Sequence, residues 1–210
     1  MSPPQPSLDL VVLVPGRNEQ SAIDALLSDR LESLGIHRVT HRILVHPRSD
    51  PGCFLEAPDV LQPFVQQSRF ALVILDHEGS GRESDDPSDM AVRLKERLEG
   101  KGWRDRAAVL VIVPELDVWV WSDSPEVDAA LGWQGQDPSL RDWLEAQGFW
   151  GKDEGKPSNP KGAVEAALRE VRIPRSSSVY EALAKSVSLS RCKDPSFAEL
   201  KRILRAWFGR

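Results

Sequence analysis

The side chains best placed to do chemistry lie in residues 70–82, F-A-L-V-I-L-D-H-E-G-S-G-R, where an unbroken apolar run leads into Asp76, with Glu78 one residue further on. A short apolar run closed by a turn predicts a central strand buried on both faces, with Asp76 at its carboxyl end. In open α/β sheets ligands and catalytic groups collect at that end, and two acids separated by one residue there can share a divalent cation. Strands also end in Asp before a glycine turn for purely structural reasons, so these residues alone leave both readings open.

More acids follow other predicted strands: Glu19 after the first, and Glu115 and Asp117 after the one that succeeds Asp76. The carboxyl ends of parallel strands share one edge, so the pattern predicts that Glu19, Asp76, Glu78 and Asp117 converge. Clustered carboxylates repel one another and raise their own pKa values unless a cation joins them, and hard oxygen ligands favour Mg²⁺. On this reading all four acids are catalytic candidates, and Asp76, Glu78 and Asp117 are the metal ligands.

The other candidates are weaker. Of His37, His41, His46 and His77, only His77 stands between two candidate acids. Cys53 and Cys192 have no neighbouring base in sequence and read as buried thiols. The G-S-G at 79–81 lacks the Lys-Ser/Thr of a P-loop and reads as a turn. Basic residues gather toward the carboxyl terminus, on what is either a solvated helix face or a phosphate-binding surface led by Arg172, Arg175 and the serines at 176–178.

These side chains have to be positioned by a regular framework. Apolar runs at 8–15, 42–46, 70–76 and 107–113 predict strands. Helical spacing follows the first strand, with Asn18 as a candidate cap, and recurs at 60–68 and 90–99. Residues 47–52 and 79–89 read as polar loops. The alternation favours a largely parallel sheet flanked by helices, the α/β class. From 115 to 123 acidic, apolar and aromatic residues alternate as in an extended segment, which would turn Trp119 and Trp121 to opposite faces. A helix start at 124–126, a charged loop at 148–161 and helices at 161–171, 177–187 and 195–208 complete the chain. The organisation predicted is an α/β domain over 1–135 with a helical extension over 136–210 packed on it.

The 210 residues are enough for a substantial core, and the formal net charge of −5 argues against a uniformly basic nucleic-acid coat. The N-terminal stretch has neither the basic start nor the apolar core of a signal peptide, no run is long enough to span a bilayer, and the cysteines lack disulfide or zinc spacing. The expectation is a cytoplasmic protein with no membrane partner.

V-L-V-P-G-R-N-E at the first strand, V-I-L-D-H-E-G at the central one and P-E-L-D-V-W-V-W-S-D after the last resemble, in order and spacing, the Toprim fold over roughly the first 130 residues. That resemblance implies acids that bind Mg²⁺ for nicking or phosphoryl transfer on nucleic acid. Two positions depart from the pattern: Pro15 stands where the first acid belongs, leaving Glu19 four residues on, and Glu78 replaces an Asp. Asp117 matches the acid before the aromatic of the third segment. The same segments, with D-P-G-C-F at 50–54, S-L-R-D-W-L at 139–144 and R-I-P-R-S-S-S-V-Y at 172–180, resemble over nearly the whole length a MAD component of the bacterial methylation-associated defence system. This implies an antiphage role beside other subunits of that system, as a binding or accessory subunit with a degenerate acidic site; the alternative is a Mg²⁺-dependent nuclease or phosphoryl-transfer enzyme acting on nucleic acid.

Overall fold

A computed structural model of the chain describes residues 6–210, so that the first part of the Pro-rich N-terminal stretch lies outside the described residues. The fold is α/β, as the alternation predicts. Strands β1 (Leu8–Val14), β2 (His41–Val45), β3 (Ser68–Asp76) and β4 (Ala107–Ile112) pair in the order β2-β1-β3-β4, every pair parallel. Helix α1 (Arg17–Asp29) and the single turn α2 (Leu31–Leu34) join β1 to β2, α3 (Ser49–Leu61) with a 3-10 turn at Gln62–Phe64 leads to β3, and α4 (Pro87–Leu98) leads to β4. A 3-10 turn at Leu116–Trp119 follows, and then α5 (Glu126–Ala130), α6 (Leu140–Ala146), α7 (Pro160–Glu170), α8 (Ser177–Ser186) and α9 (Pro195–Phe208).

The apolar strands are continuous because both faces are covered. Leu10, Val12, Leu72, Ile74 and Leu110 point into one core with α1, α8 and α9, and Val11, Leu13, Val73 and Leu75 point into another with α3 and α4. The first core draws on the early strands and the last helices alike, so residues 136–210 complete a layer of the sheet. The strand order reverses between β1 and β3, which puts the topological switch point, and the crevice outside it, between the ends of those two strands.

Two helices begin with the same local code. Asp86 accepts from the backbone N–H groups of Ser88 and Asp89 at the start of α4, Asp194 accepts from those of Ser196 and Phe197 at the start of α9, and each Asp is followed by a Pro whose missing N–H is not needed there.

Three local expectations are corrected. Gly16 rather than Asn18 occupies the cap of α1, with no side-chain cap bond, because the chain turns immediately after Pro15. Residues 47–52 are largely helix: α3 starts at Ser49 and ends at Leu61, so the helix expected over 60–68 is the tail of an earlier one. It starts there because Gly52 lets α3 pack directly on the buried His46 ring, which accepts from the Arg48 N–H at Nδ1 and contacts Glu56 Oε2 at 3.2 Å through Nε2. Third, residues 116–119 coil rather than extend.

A Cβ at position 52 would overlap the His46 ring. Gly52→Ala is therefore expected to lower stability by about 1–3 kcal/mol, the cost of overpacking, as read from a urea melt; an unchanged midpoint would show that the ring moves aside freely.

Candidate functional site

The carboxyl ends of β1, β3 and β4 open into one cleft of about 230 Å³, and its walls include Glu19, Asp50, Asp76, Glu78, Glu115 and Asp117 together with Lys161 and Arg175. The expected convergence of Glu19, Asp76, Glu78 and Asp117 is thus what the fold produces. Each acid arrives by its own route. Glu19 lies in the first turn of α1, with Oε2 so close to Gly16 that a Cβ there would stand 2.7 Å from it. Asp76 ends β3, and exposed Glu78 stands at the lip, its N–H donating to the Pro114 carbonyl at 2.9 Å. Asp117 is carried in by the 3-10 turn after β4.

Asp50 joins them, an acid that the strand pattern does not single out. It follows β2 as the other acids follow their strands, and the sequence signal was present in the Ser-Asp-Pro that opens α3. Its Oδ1 accepts the Asp76 N–H at 2.7 Å, and Asp76 Oδ1 in turn accepts the Leu116 N–H at 3.0 Å. A relay of carboxylate-to-backbone bonds thus ties the ends of β2, β3 and β4.

The acids divide electrostatically into two groups. Asp117, 2 % exposed, is fully bonded: Tyr180 Oη donates to Oδ1 at 2.6 Å, and Arg175 Nη2 donates to Oδ2 at 2.9 Å while its Nε donates to the same tyrosine oxygen at 2.8 Å. Glu115 receives Lys161 Nζ at 3.0 Å, and that bond holds the lysine's pKa above its ordinary value. Among the described residues, Glu19, Asp50 and Asp76 form no ion pair with a basic side chain. Burial pushes the Asp76 carboxyl well above the ordinary range, and the neighbouring Glu19 and Asp50 charges push it further. Burial likewise raises Glu19, with Asp50 and Asp117 adding repulsion, and raises Asp50.

As they stand, no three His, Cys, Asp or Glu side chains among the described residues are grouped to hold a metal ion. Of the three expected ligands, Asp117 accepts a bond from a side chain at each oxygen, whereas Asp76 accepts one at Oδ1, from the backbone.

The basic candidates separate. Arg175 lies in the cleft and serves Asp117, whereas Arg172, exposed at φ 59°, lies outside it. His77 turns away, its ring bonded to the Asp85 carbonyl at 3.0 Å, and steadies the loop before α4. Gly79 and Gly81, both at positive φ, aim their N–H groups at the chain's own Glu83 carboxylate at 3.0 and 3.1 Å, confirming a self-filled turn. Cys53 is fully buried, its thiol pKa raised by burial, and Cys192 is half-buried with its pKa raised for the same reason. Because residues 116–119 coil, Trp119 and Trp121 do not split between core and surface. Trp121 is buried and donates to the Pro160 carbonyl, while half-buried Trp119 donates to Ser196 and packs edge-on against Phe197.

Comparison of the chain with protein-family models, with curated proteins and with solved structures finds no match.

The unpaired acids make a stability prediction with a definite sign. A carboxyl whose folded pKa is raised contributes stability while protonated and loses it as pH rises through the folded value. The loss therefore begins near the ordinary Asp value of 3.8 and extends upward to the raised one. Asp76→Asn keeps the acceptor for Leu116 and removes the charge, so it is expected to raise the urea midpoint at pH 7 and to flatten the pH dependence above 3.8. A variant less stable at pH 7 would show that the Asp76 charge is compensated.

Proposed function

We propose that this chain is an accessory, partner-binding subunit of a bacterial antiphage defence system of the methylation-associated kind, built on a Toprim-like domain whose acidic edge serves structure and recognition rather than catalysis. The observation that carries this reading is the closure of Asp117 by Arg175 and Tyr180. Both oxygens of this carboxylate already accept a charge-assisted or short bond from the chain's own C-terminal segment, and its charge is balanced there by Arg175, which weakens its draw on a cation. Lys161 engages Glu115 in the same way, and Pro15 stands where the resemblance calls for the first acid. The unpaired acids, Glu19, Asp50, Asp76 and exposed Glu78, then offer a basic side chain of a partner subunit a place where it relieves their mutual repulsion.

A second reading retains a specific observation in its favour. The charges of Glu19 and Asp50 add to the burial that raises Asp76, that of Asp50 adds to the raising of Glu19, and Asp76 and Glu78 both face the cleft. Mg²⁺ held by Asp76 and Glu78 would supply Lewis-acid charge for phosphoryl transfer on nucleic acid, with Glu19 beside it as a base.

Asp76→Asn and Glu78→Gln in an otherwise intact defence locus separate the two. The accessory reading expects plaque counts within about threefold of wild type for Glu78→Gln, a conservative change at one exposed contact worth under ~1 kcal/mol. It also expects no Mg²⁺-dependent cleavage of single- or double-stranded DNA by the purified protein. Cleavage that requires Mg²⁺ and disappears in folded Asp76→Asn would establish the enzyme instead. Arg175→Glu is not a usable probe of nucleic-acid binding because it unpairs buried Asp117; exposed Arg172→Glu is the cleaner one.

A further inference from the structure

A second hollow, of about 550 Å³, is lined by no strand residue and shares no lining residue with the acidic cleft. It is enclosed by residues 121–125, by α5, by α6 with the loop that follows it, and by the connection before α9. Its volume falls in the range of small-molecule sites, about 300–1,000 Å³.

The apolar wall is Trp121, Val127, Leu140 and Trp150, and the two indoles meet edge to face with ring centroids 5.3 Å apart. Both indole N–H groups already donate, to the Pro160 and Glu154 carbonyls, so the rings offer a ligand their carbon surface and π-density alone.

The polar lining sorts by what remains free. Arg141 is engaged: it lies over the Trp150 ring at 4.1 Å, pairs with Glu145 and donates to the carbonyls of Gly151, Lys152 and Glu154. Ser124 donates to Glu126 and accepts the Ser188 N–H. Among the described residues, by contrast, the Asp128 carboxyl has neither a hydrogen bond nor an ion pair, and Asp123 gives only its backbone carbonyl, to Arg191. Asp128 is half-buried, and burial raises its pKa with no cation or donor to offset it. Ser122 on the same wall has its hydroxyl buried without a partner, an unsatisfied group of the kind that a bound donor or water completes. Lys193 is a base of the lining without an ion pair, and it stands exposed, where solvent screens it.

We propose that this cavity binds a small organic cation, a protonated amine on an apolar body, with the ammonium at Asp128 and the body against Trp121 and Trp150.

Other ligand classes match the lining less well. An anion would meet Asp123 and Asp128 with like charge and find Arg141 already engaged. A neutral apolar molecule would cover the indoles but take Asp128 further from water without a partner. A bare metal ion wants a shell of oxygens and gains nothing from indole surface. A protonated amine supplies the carboxylate with donors and a compensating charge, and sets positive charge beside aromatic rings.

The test is calorimetric titration of the full chain at pH 7 with tryptamine, with tryptophol as its neutral analogue and with indole-3-propionate as its anionic one. Tryptamine is expected to bind with a Kd at or below about 1 mM, and the other two at least about tenfold more weakly, the loss of one charge-assisted bond. Asp128→Asn removes a charge and no bond within the chain, so it is expected to fold as wild type does and to lose about tenfold in tryptamine affinity. Gly155→Phe adds bulk to the cavity wall where a Cβ meets no atom within 4 Å, and is expected to weaken tryptamine as well. Absence of tryptamine binding at several millimolar overturns the proposal, and so does tighter binding of the anion, which would make Lys193 the recognising group. Equal affinity for tryptamine and tryptophol overturns it without recourse to a variant. Binding that survives both Asp128→Asn and Gly155→Phe but falls in Asp76→Asn would put the amine in the acidic cleft and overturn the assignment to this cavity.

Discussion

The carboxylate of Asp117 organises this molecule more than any other single group. It is almost fully buried, and a buried charge costs several kcal/mol unless it is paired and hydrogen-bonded. Both its partners come from beyond residue 170: the Arg175 guanidinium from the connection before α8, and the Tyr180 hydroxyl from α8 itself. The turn that carries Asp117 into the cleft is held in place by Asp76 through the Leu116 N–H, and Asp76 is held by Asp50. The C-terminal helices therefore dock on the sheet through a polar seam as well as through the apolar face shared by α1, α8 and α9. Taking away one partner of such a seam leaves the others buried and unpaired, a loss larger than the seam's net contribution to stability.

The strands were readable because burial on both faces leaves a period-free apolar run that polar loops cannot imitate. β1, β3 and β4 appear within a residue or two of their predicted limits, and α9 spans its predicted 195–208. The placement of Glu19, Asp76, Glu78 and Asp117 in one cleft was legible for the same reason: parallel strands put all their carboxyl ends on one side. What could not be read depended on contacts between distant segments. Residues 47–52 look like a loop by composition, yet the lack of a side chain at Gly52 lets a helix settle on His46. Residues 115–123 alternate in the manner of a strand, but with no sheet neighbour beyond β4 to pair with, the turn coils and sends Trp119 and Trp121 to different C-terminal helices. Asp50 is hidden from a local reading because the segment after β2 has the composition of a plain loop, and the roles of Lys161 and Tyr180 depend on pairings across 46 and 63 residues that no local pattern encodes.

The two edges of the sheet differ in composition. A parallel strand at an edge has half its peptide groups unpaired and must be hidden, blunted with charge or shared. β2 is blunted by exposed Arg42 and by a His41 bonded to Asp24. β4 keeps a fully apolar sequence and is flanked by two helices that open with the same Asp-Pro-Ser code, with a slot between them.

The carboxyl-edge cleft holds two kinds of acid, and their contrast bears on what the site is for. Asp117 and Glu115 are paired from within, Asp117 by Arg175 and Tyr180 and Glu115 at Oε2 by Lys161, although burial still raises the Glu115 pKa. Burial keeps the pKa values of Glu19, Asp50 and Asp76 raised, with like charges adding to Glu19 and Asp76, and ionising them works against the folded state. Sequences are expected to remove such local conflict unless something relieves it in use, and a positive group is what relieves it. The source of that charge separates the readings: a partner's basic side chain satisfies a binding subunit, whereas a hard cation would need acid ligands with oxygens to spare. With Asp117 committed to Arg175 and Tyr180, a cation would find Asp76 and Glu78 of its three expected ligands, while a lysine or arginine needs no coordination shell and is served by the acids already facing the cleft.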